Sequence, residues 1–390
     1  MNQGKYVFAQ VATFLPTRIF DRCVLEFEGN KYVKHFSCWN QLMCMMFGQL
    51  SGRESLRDLL ITIGAHSSKY YHLGFGKNVS RSNLASANES RDWRIYEAFA
   101  YEMIAIAKQN IIGNEDFDLP VVGNVYAFDS TTVDLCLNVF WWATFRTTKA
   151  AIKIHTLFDV KTAIPTFIHV TEGNVHDVNA LDVLTYEAGG FYIMDKAYVD
   201  FERLSIIDES KAYYVTRAKD NFSFTRIRGE KTDKSKGVLC DQTVRLKGLK
   251  SHRAYPRYIR RIKFRDVEQQ RVFVFITNNF VQPATDIAML YKYRWKVELF
   301  FKWIKQHLKI KSFWGTSFNA VKTQIYIAIC TYTLVAIIKS ELKIRLSTYE
   351  ILQILSVSLF DKTNLNQLLK SPIYQDVKEQ DCEQLKMNLI

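Results

Sequence analysis

The sequence predicts an α/β fold: a mixed-sheet core carrying a mainly β insertion, preceded by a small helical domain. Three observations carry that prediction. Apolar residues recur at helical spacing through the first hundred positions; from residue 121 short apolar or β-branched runs alternate with turns and helix patterns; and residues 221 to 270 break that alternation with strand patterns alone.

The helical part comes first. "FSCWNQLMCMMFGQLSGRESLRDLL" has helical periodicity interrupted by "SG", and "WRIYEAFAYEMIAIAKQ" gives a second amphipathic run, with a polar, turn-rich stretch between them. Residues 1–115 are therefore expected to form a mainly helical domain, whose role is either DNA binding or simple packing and dimer support. "VVGNVYAFDSTTVDL", "IKIHTLFDV", "IPTFIHVT" and "FYIMDKAYV" then read as strands, with helices expected at "HDVNALDVLTYEAG" and "VDFERLSIIDES" and a further strand at "AYYVTRAK". The core is expected over 120–220 and 271–335, and the antiparallel insertion over 221–270. "YKYRWKVELFFKWIKQ", residues 291 to 306, reads as one helix, a second long helix follows at about 319 to 340, and 336–390 is expected to be helical.

Composition narrows the function. With 52 Lys and Arg against 39 Asp and Glu the formal charge is +13, which favours a polyanionic partner. The seven cysteines form no Cys-x-x-Cys pair, so free thiols in a reducing compartment are expected in place of a disulfide scaffold or structural zinc. No signal-peptide pattern opens the chain, which points to the cytoplasm. The apolar run "IYIAICTYTLVAII" has only 14 residues between Lys322 and Lys339, so a buried helix is expected and no membrane partner. No phosphate-binding G-x-x-x-x-G-K-[ST] pattern occurs.

Three acids stand out. On an ideal helix Tyr291, Arg294, Glu298 and Lys305 share one face, where Arg294 and Glu298 could form an exposed pair worth only about 0.3 to 0.5 kcal/mol. Asp129 closes the apolar run "VYAFD" and Asp195 closes "FYIMD", placing both at expected strand ends, where α/β sites form; an Asp that caps the next element would look the same. Converging from two strands and a helix, Asp129, Asp195 and Glu298 would supply hard oxygen ligands for two Mg²⁺ or Mn²⁺ ions. Arg294 and Lys305 would then hold a phosphodiester beside them.

The spacing Tyr291, Arg294, Glu298, Lys305 resembles the Y-R-E-K signature of the IS4 group of DDE transposases, the insertion-sequence enzymes related to the Tn5 and Tn10 transposases. "FDSTTVDL" is similar to the first catalytic block of that family and "YIMDKAYVDF" to the second, so Asp129, Asp195 and Glu298 match its triad in order. The resemblance implies an RNase H-like core, metal-dependent cleavage of transposon ends and joining of the 3′ hydroxyls to target DNA. It also implies release through a hairpin intermediate, as in better studied members, or by another cleavage route, together with a homodimer on double-stranded DNA and a bacterial, nucleoid-associated location. The rival readings are a two-metal endonuclease without strand transfer and a non-enzymatic DNA-binding descendant; the latter would be expected to have lost an acid, and all three are present.

Further basic residues are expected on DNA. Residues 245 to 265 hold nine Lys or Arg and no acid, with Tyr255 and Tyr258 interleaved, and Arg257, Arg260, Arg261 and Lys263 are the phosphate-contact candidates. Arg217 in "YYVTRAKD" is similar in character to a basic residue near the active site of the family, with Lys219 as its helper. The "HD" of His176 and Asp177 resembles a pair the family places at a helix start, which implies an N-cap role for Asp177 and a DNA-contacting or orienting role for His176.

Overall fold

The computed structural model describes residues 4–75, 79–111, 117–146, 149–268, 270–307 and 313–370; the remainder of the expected C-terminal helical region, 371–390, lies outside the described residues. Among the described residues seven α-helices come first: α1 (Val7–Ala12), α2 (Thr17–Glu26), α3 (Cys38–Leu50), α4 (Leu56–Gly64), α5 (Tyr70–Leu73), α6 (Arg81–Ser90) and α7 (Arg94–Asn110). The serines that begin α3, α4 and α6 explain why those helices start where they do: Ser37, Ser55 and Ser80 each accept a hydrogen bond from a first-turn backbone N–H.

The sheet follows. Its strands are β1 (Val125–Leu135), β2 (Thr144–Arg146), β3 (Lys149–Asp159), β4 (Ile164–Glu172) and β5 (Phe191–Met194), then, after α8 (Phe201–Glu209), β6 (Tyr213–Arg217). The insertion adds β7 (Phe224–Gly229), β8 (Val238–Leu246), α9 (Leu249–Ala254) and β9 (Ile259–Asp266), and β10 (Arg271–Thr277) returns to the core. Among the described residues these ten strands form one sheet in the order β2-β3-β1-β5-β6-β10-β9-β8-β7, with β4 beside β3. β3 and β4 pair antiparallel, as do β1 and β3, whereas β1, β5 and β6 run parallel. This is RNase H-like topology. Gly123 lets the chain enter β1: its φ is +100°, and a Cβ there would stand 2.4 Å from the Gly189 carbonyl oxygen.

Side chains alternate across the sheet and sort into two hydrophobic clusters. Val125, Ala127, Phe191, Ile193 and Val215 face one cluster, and Tyr126, Phe128, Tyr192, Met194 and Tyr214 face the other. The second cluster is closed by Leu204 and Ile207 of α8. The first is covered by α10 (Ala284–Lys292), α11 (Trp295–His307) and α12 (Phe318–Glu341), and it runs without interruption into the buried faces of α3 and α7. α13 (Thr348–Ser358) and α14 (Leu365–Lys370) complete that layer. The helical region therefore shares its core with the sheet.

Several local expectations change. Residues 291 to 306 are not one helix: α10 ends at Lys292 and α11 begins at Trp295, with Arg294 N–H bonded to the Tyr291 carbonyl in a tighter i to i−3 turn. The segment after β4 is a 3₁₀ turn, Asp177–Val183, whose N-cap is His176, so Asp177 is its first residue and not its cap. α12 has 24 residues and is long and apolar enough to cross a membrane, yet 89% of its most apolar window is buried in the protein. The six cysteines among the described residues are free thiols.

Candidate active site

Strand register brings the two aspartates together. Phe128 pairs with Met194 and Met194 with Thr216, so the next residue on each strand, Asp129, Asp195 and Arg217, falls in one row across β1, β5 and β6. All three share the parity of Ala127, Ile193 and Val215 and so face the layer that holds α11. Asp129 is not at the end of its strand: β1 continues to Leu135 against β3, with Asp129 opposite Thr156. The row marks where β1 outruns β5.

α11 sets Glu298 over this row because Val297, Phe300 and Ile304 are buried against the sheet, leaving Glu298 at the margin of that face. Arg294, in the turn before α11, joins the acids: its Nη1 donates to Asp129 Oδ2 at 2.9 Å and its Nη2 pairs with Glu298 Oε1 at 2.6 Å. Asp195 Oδ1 accepts from Arg217 Nη2 at 2.5 Å and from the Tyr291 hydroxyl at 3.2 Å. The guanidinium groups of Arg217 and Arg294 flank the Tyr291 ring at 5.7 and 5.8 Å. The interrupted helix thus still delivers Tyr291, Arg294 and Glu298 to one place.

The electrostatics of the two aspartates diverge. Burial pushes the Asp129 carboxyl up to about 6, opposed by the Ser130 N–H and Arg294 and reinforced by the charges of Glu298 and Asp195. Burial also works against Asp195, but the Arg217 hydrogen bond, the Lys196 N–H and the nearby arginine charges outweigh it and hold that carboxyl below its ordinary value. Tyr291 is pushed up to about 12 by burial and stays a hydrogen-bond donor.

Among the described residues no three His, Cys, Asp or Glu side chains stand close enough to hold an ion. Protein donors engage each of the three acids: Arg294 spans Asp129 and Glu298, while Arg217 and Tyr291 hold Asp195. The donor set itself suits a hard divalent cation, being three carboxylates on converging elements. Burial above all, with the charges of Glu298 and Asp195 added to it, keeps the Asp129 carboxyl raised even beside Arg294.

The other candidate residues have mixed placements. Lys305 donates to the Thr132 carbonyl at 2.6 Å, tying α11 to β1 beyond Asp129. Lys219 donates to the Val199 carbonyl in the segment after Asp195, and His176 is exposed. Lys263 is exposed on β9, whereas Arg257 pairs with Asp208 and Glu209 beside α8. Arg261 lies over the Phe224 ring and donates to Gln242. Arg260 and Tyr255 are corrected: Arg260 is only 8% exposed and forks onto Asp241, and Tyr255 is buried with its hydroxyl on Asp208. For Arg260 strand alternation is the cause, since it points to the covered face while Arg261 and Lys263 flank it on the other; Tyr255 is the C-cap of α9 and is on no strand. Sequence reasoning missed Lys153 and Ser130, which meet Asp177 on the face opposite the acids. An isolated Lys in the apolar run "AAIKIHTL" was the available signal.

Residues 122–334 match the model of a transposase DDE domain, more than half of the 390-residue chain, and residues 3–76 match a domain of unknown function, DUF4372. A Sinorhizobium fredii protein named as a transposase is 35% identical over 213 residues, covering 54% of this chain and 59% of that protein. A Geobacillus stearothermophilus protein named as a transposase for insertion sequence element IS5377 is 34% identical over 208 residues, covering 53% and 54%. A Synechocystis protein named as a transposase for element IS4SA is 23% identical over 272 residues, covering 67% and 73%. The chain thus spans somewhat over half the length of the first two relatives.

Proposed function

Because the chain belongs to the DDE transposase family, related to IS4- and IS5-type insertion-sequence transposases, we propose that it cuts DNA at transposon ends and joins those ends to target DNA. The observation that carries this reading is the register of β1 against β5, with Asp129 and Asp195 in one row beneath Glu298. In this reading Asp129, Asp195 and Glu298 hold Mg²⁺ or Mn²⁺. A divalent cation there supplies the positive charge that a phosphoryl-transfer transition state requires.

The protein's own groups do the rest. Arg294 exchanges its carboxylate partners for a DNA phosphate, which its planar fork can grip in the same bidentate manner. Arg217 keeps Asp195 ionised, Arg217 and Tyr291 orient it, and Lys305 fixes the far end of α11. Residues 120–220 and 271–335 act as the catalytic core, 221–270 as a basic arm that contacts phosphates through Lys263 and Arg261, and 1–115 as a helical DNA-binding region. Two copies work together on the paired ends, in the bacterial cytoplasm.

The test is nicking of a supercoiled plasmid that carries the element's own terminal sequences. Asp129→Ala, Asp195→Ala and Glu298→Ala are each expected to abolish Mg²⁺-dependent nicking and strand joining while DNA binding persists. Nicking that survives in any of the three overturns the assignment.

A further inference from the structure

The carboxylate of Asp129 has a support on the far side of the sheet. Its Oδ1 accepts the backbone N–H of Ser130 at 2.8 Å. Ser130 has the opposite parity, so its hydroxyl points through to the other face, where Oγ donates to Asp177 Oδ1 at 2.9 Å. The same Asp177 oxygen pairs with Lys153 Nζ at 3.2 Å, and Lys153 also donates to the Val175 carbonyl at 2.7 Å, two residues before Asp177. Lys153 is well covered, with 12% of its side chain exposed, and it stands on β3 opposite Thr132, close beyond Ser130.

These contacts form one line: Lys153 holds the Val175–Asp177 segment, Asp177 holds the Ser130 hydroxyl, and the Ser130 N–H holds Asp129. The supported stretch is the part of β1 that has just lost β5 as a neighbour, because Phe128 and Met194 are the last paired residues. A strand flanked on one side only can twist, and a small twist at residue 130 would swing the Asp129 carboxylate. Asp177 does not cap its own 3₁₀ turn, so that role does not account for its position.

We propose that Asp177, held by Lys153 and acting through Ser130, is a positioning residue that fixes the Asp129 carboxylate for cation binding. The inference rests on the functional reading of Asp129 given above. Such outer contacts typically change metal affinity by 10 to 100-fold while leaving the fold in place.

The experiment measures Mn²⁺ binding to the full chain without DNA by calorimetry, with thermal melts in parallel. Asp177→Ala and Ser130→Ala are each expected to weaken Mn²⁺ binding about 10-fold with little change in melting temperature, and the double variant to lose no more than either alone. Ser130→Thr, which keeps the hydroxyl, is expected to bind as the parent does. Affinity within twofold of the parent for Asp177→Ala overturns the proposal, as does a double variant whose losses multiply. If Asp177→Ala fails to fold, Asp177→Asn, which keeps the shape and loses the charge, takes its place under the same criteria. Asp129→Ala separates the two levels: abolished binding there with an unchanged Asp177→Ala removes the positioning role alone, whereas retained binding in Asp129→Ala overturns both this inference and the functional reading.

Discussion

Replacing Asp129 by Asn is expected to stabilise the metal-free protein at neutral pH while destroying its proposed activity. Burial and two neighbouring acids push the Asp129 carboxyl from 3.8 up to about 6. At 1.36 kcal/mol per pH unit, that displacement corresponds to about 3 kcal/mol of unfavourable free energy when the group is ionised. The sign follows from linkage. A carboxyl whose folded pKa is raised favours the folded state below its unfolded pKa, and that contribution is lost as pH rises from about 4 through about 6. Asn mimics the uncharged form at every pH and leaves Arg294 its pairing with Glu298. Chemical denaturation in EDTA is therefore expected to show parent and Asp129→Asn nearly equal at pH 3.5, about 1 kcal/mol apart at pH 4.5, and about 3 kcal/mol apart in favour of the variant by pH 7.5. Adding Mg²⁺ at pH 7.5 should narrow the gap, because a cation bound by the native state stabilises the parent selectively. A variant less stable than the parent at pH 7.5, or a difference that does not change with pH, would refute the electrostatic account of this site.

Three further outcomes are expected. Burial holds His155 down at about 4, so its contribution is present above pH 6.5 and is lost as pH falls toward 4, about 3 kcal/mol in all; His155→Gln should flatten that acid limb in denaturation curves. Arg260→Ala leaves Asp241 buried without its partner and should cost about 3 to 5 kcal/mol in stability, whereas Lys263→Ala should leave stability unchanged and reduce the salt slope of DNA binding by about 0.9; the reverse pattern would exchange their roles. Gly123→Ala forces a Cβ against the Gly189 carbonyl at a positive φ and should cost about 1 to 3 kcal/mol, read from the denaturation midpoint.

The acids were legible because they interrupt strong periodic patterns: "VYAFD" and "FYIMD" each break an apolar strand with one charge, and both lie where β1 and β5 part. Strand existence came through for the same reason. Face assignment did not, since Arg260 and Arg261 are neighbours in sequence, and the partners that cover Arg260 are Asp241 and the Asn279 and Gln282 carbonyls, all distant in the chain. The break at Tyr293 and Arg294 was equally invisible: every residue there tolerates a helix, and from the tight turn Arg294 reaches Asp129, a partner far away in the sequence. Helical spacing nevertheless found the right residues, because one tightened turn moves them only slightly around the axis. The opposite-face support of Asp129 involves Lys153, Asp177 and Ser130 from three separate segments, and only the pairing of β1 with β3 brings them together.

The continuity of the hydrophobic cluster bears on how such chains can diversify. The stretch matching DUF4372, residues 3–76, and the stretch matching the transposase domain, 122–334, meet inside one apolar mass where α3 lies on α12. A leading segment borrowed from a distant relative would bring side chains shaped for another α12, leaving gaps or clashes at Gln49, Gln324 and Thr331, whose polar groups bond to one another there. The unit that recombination can exchange intact is therefore larger than either matched stretch, and hybrids joined between them should require compensating changes in α12 before they express as folded protein.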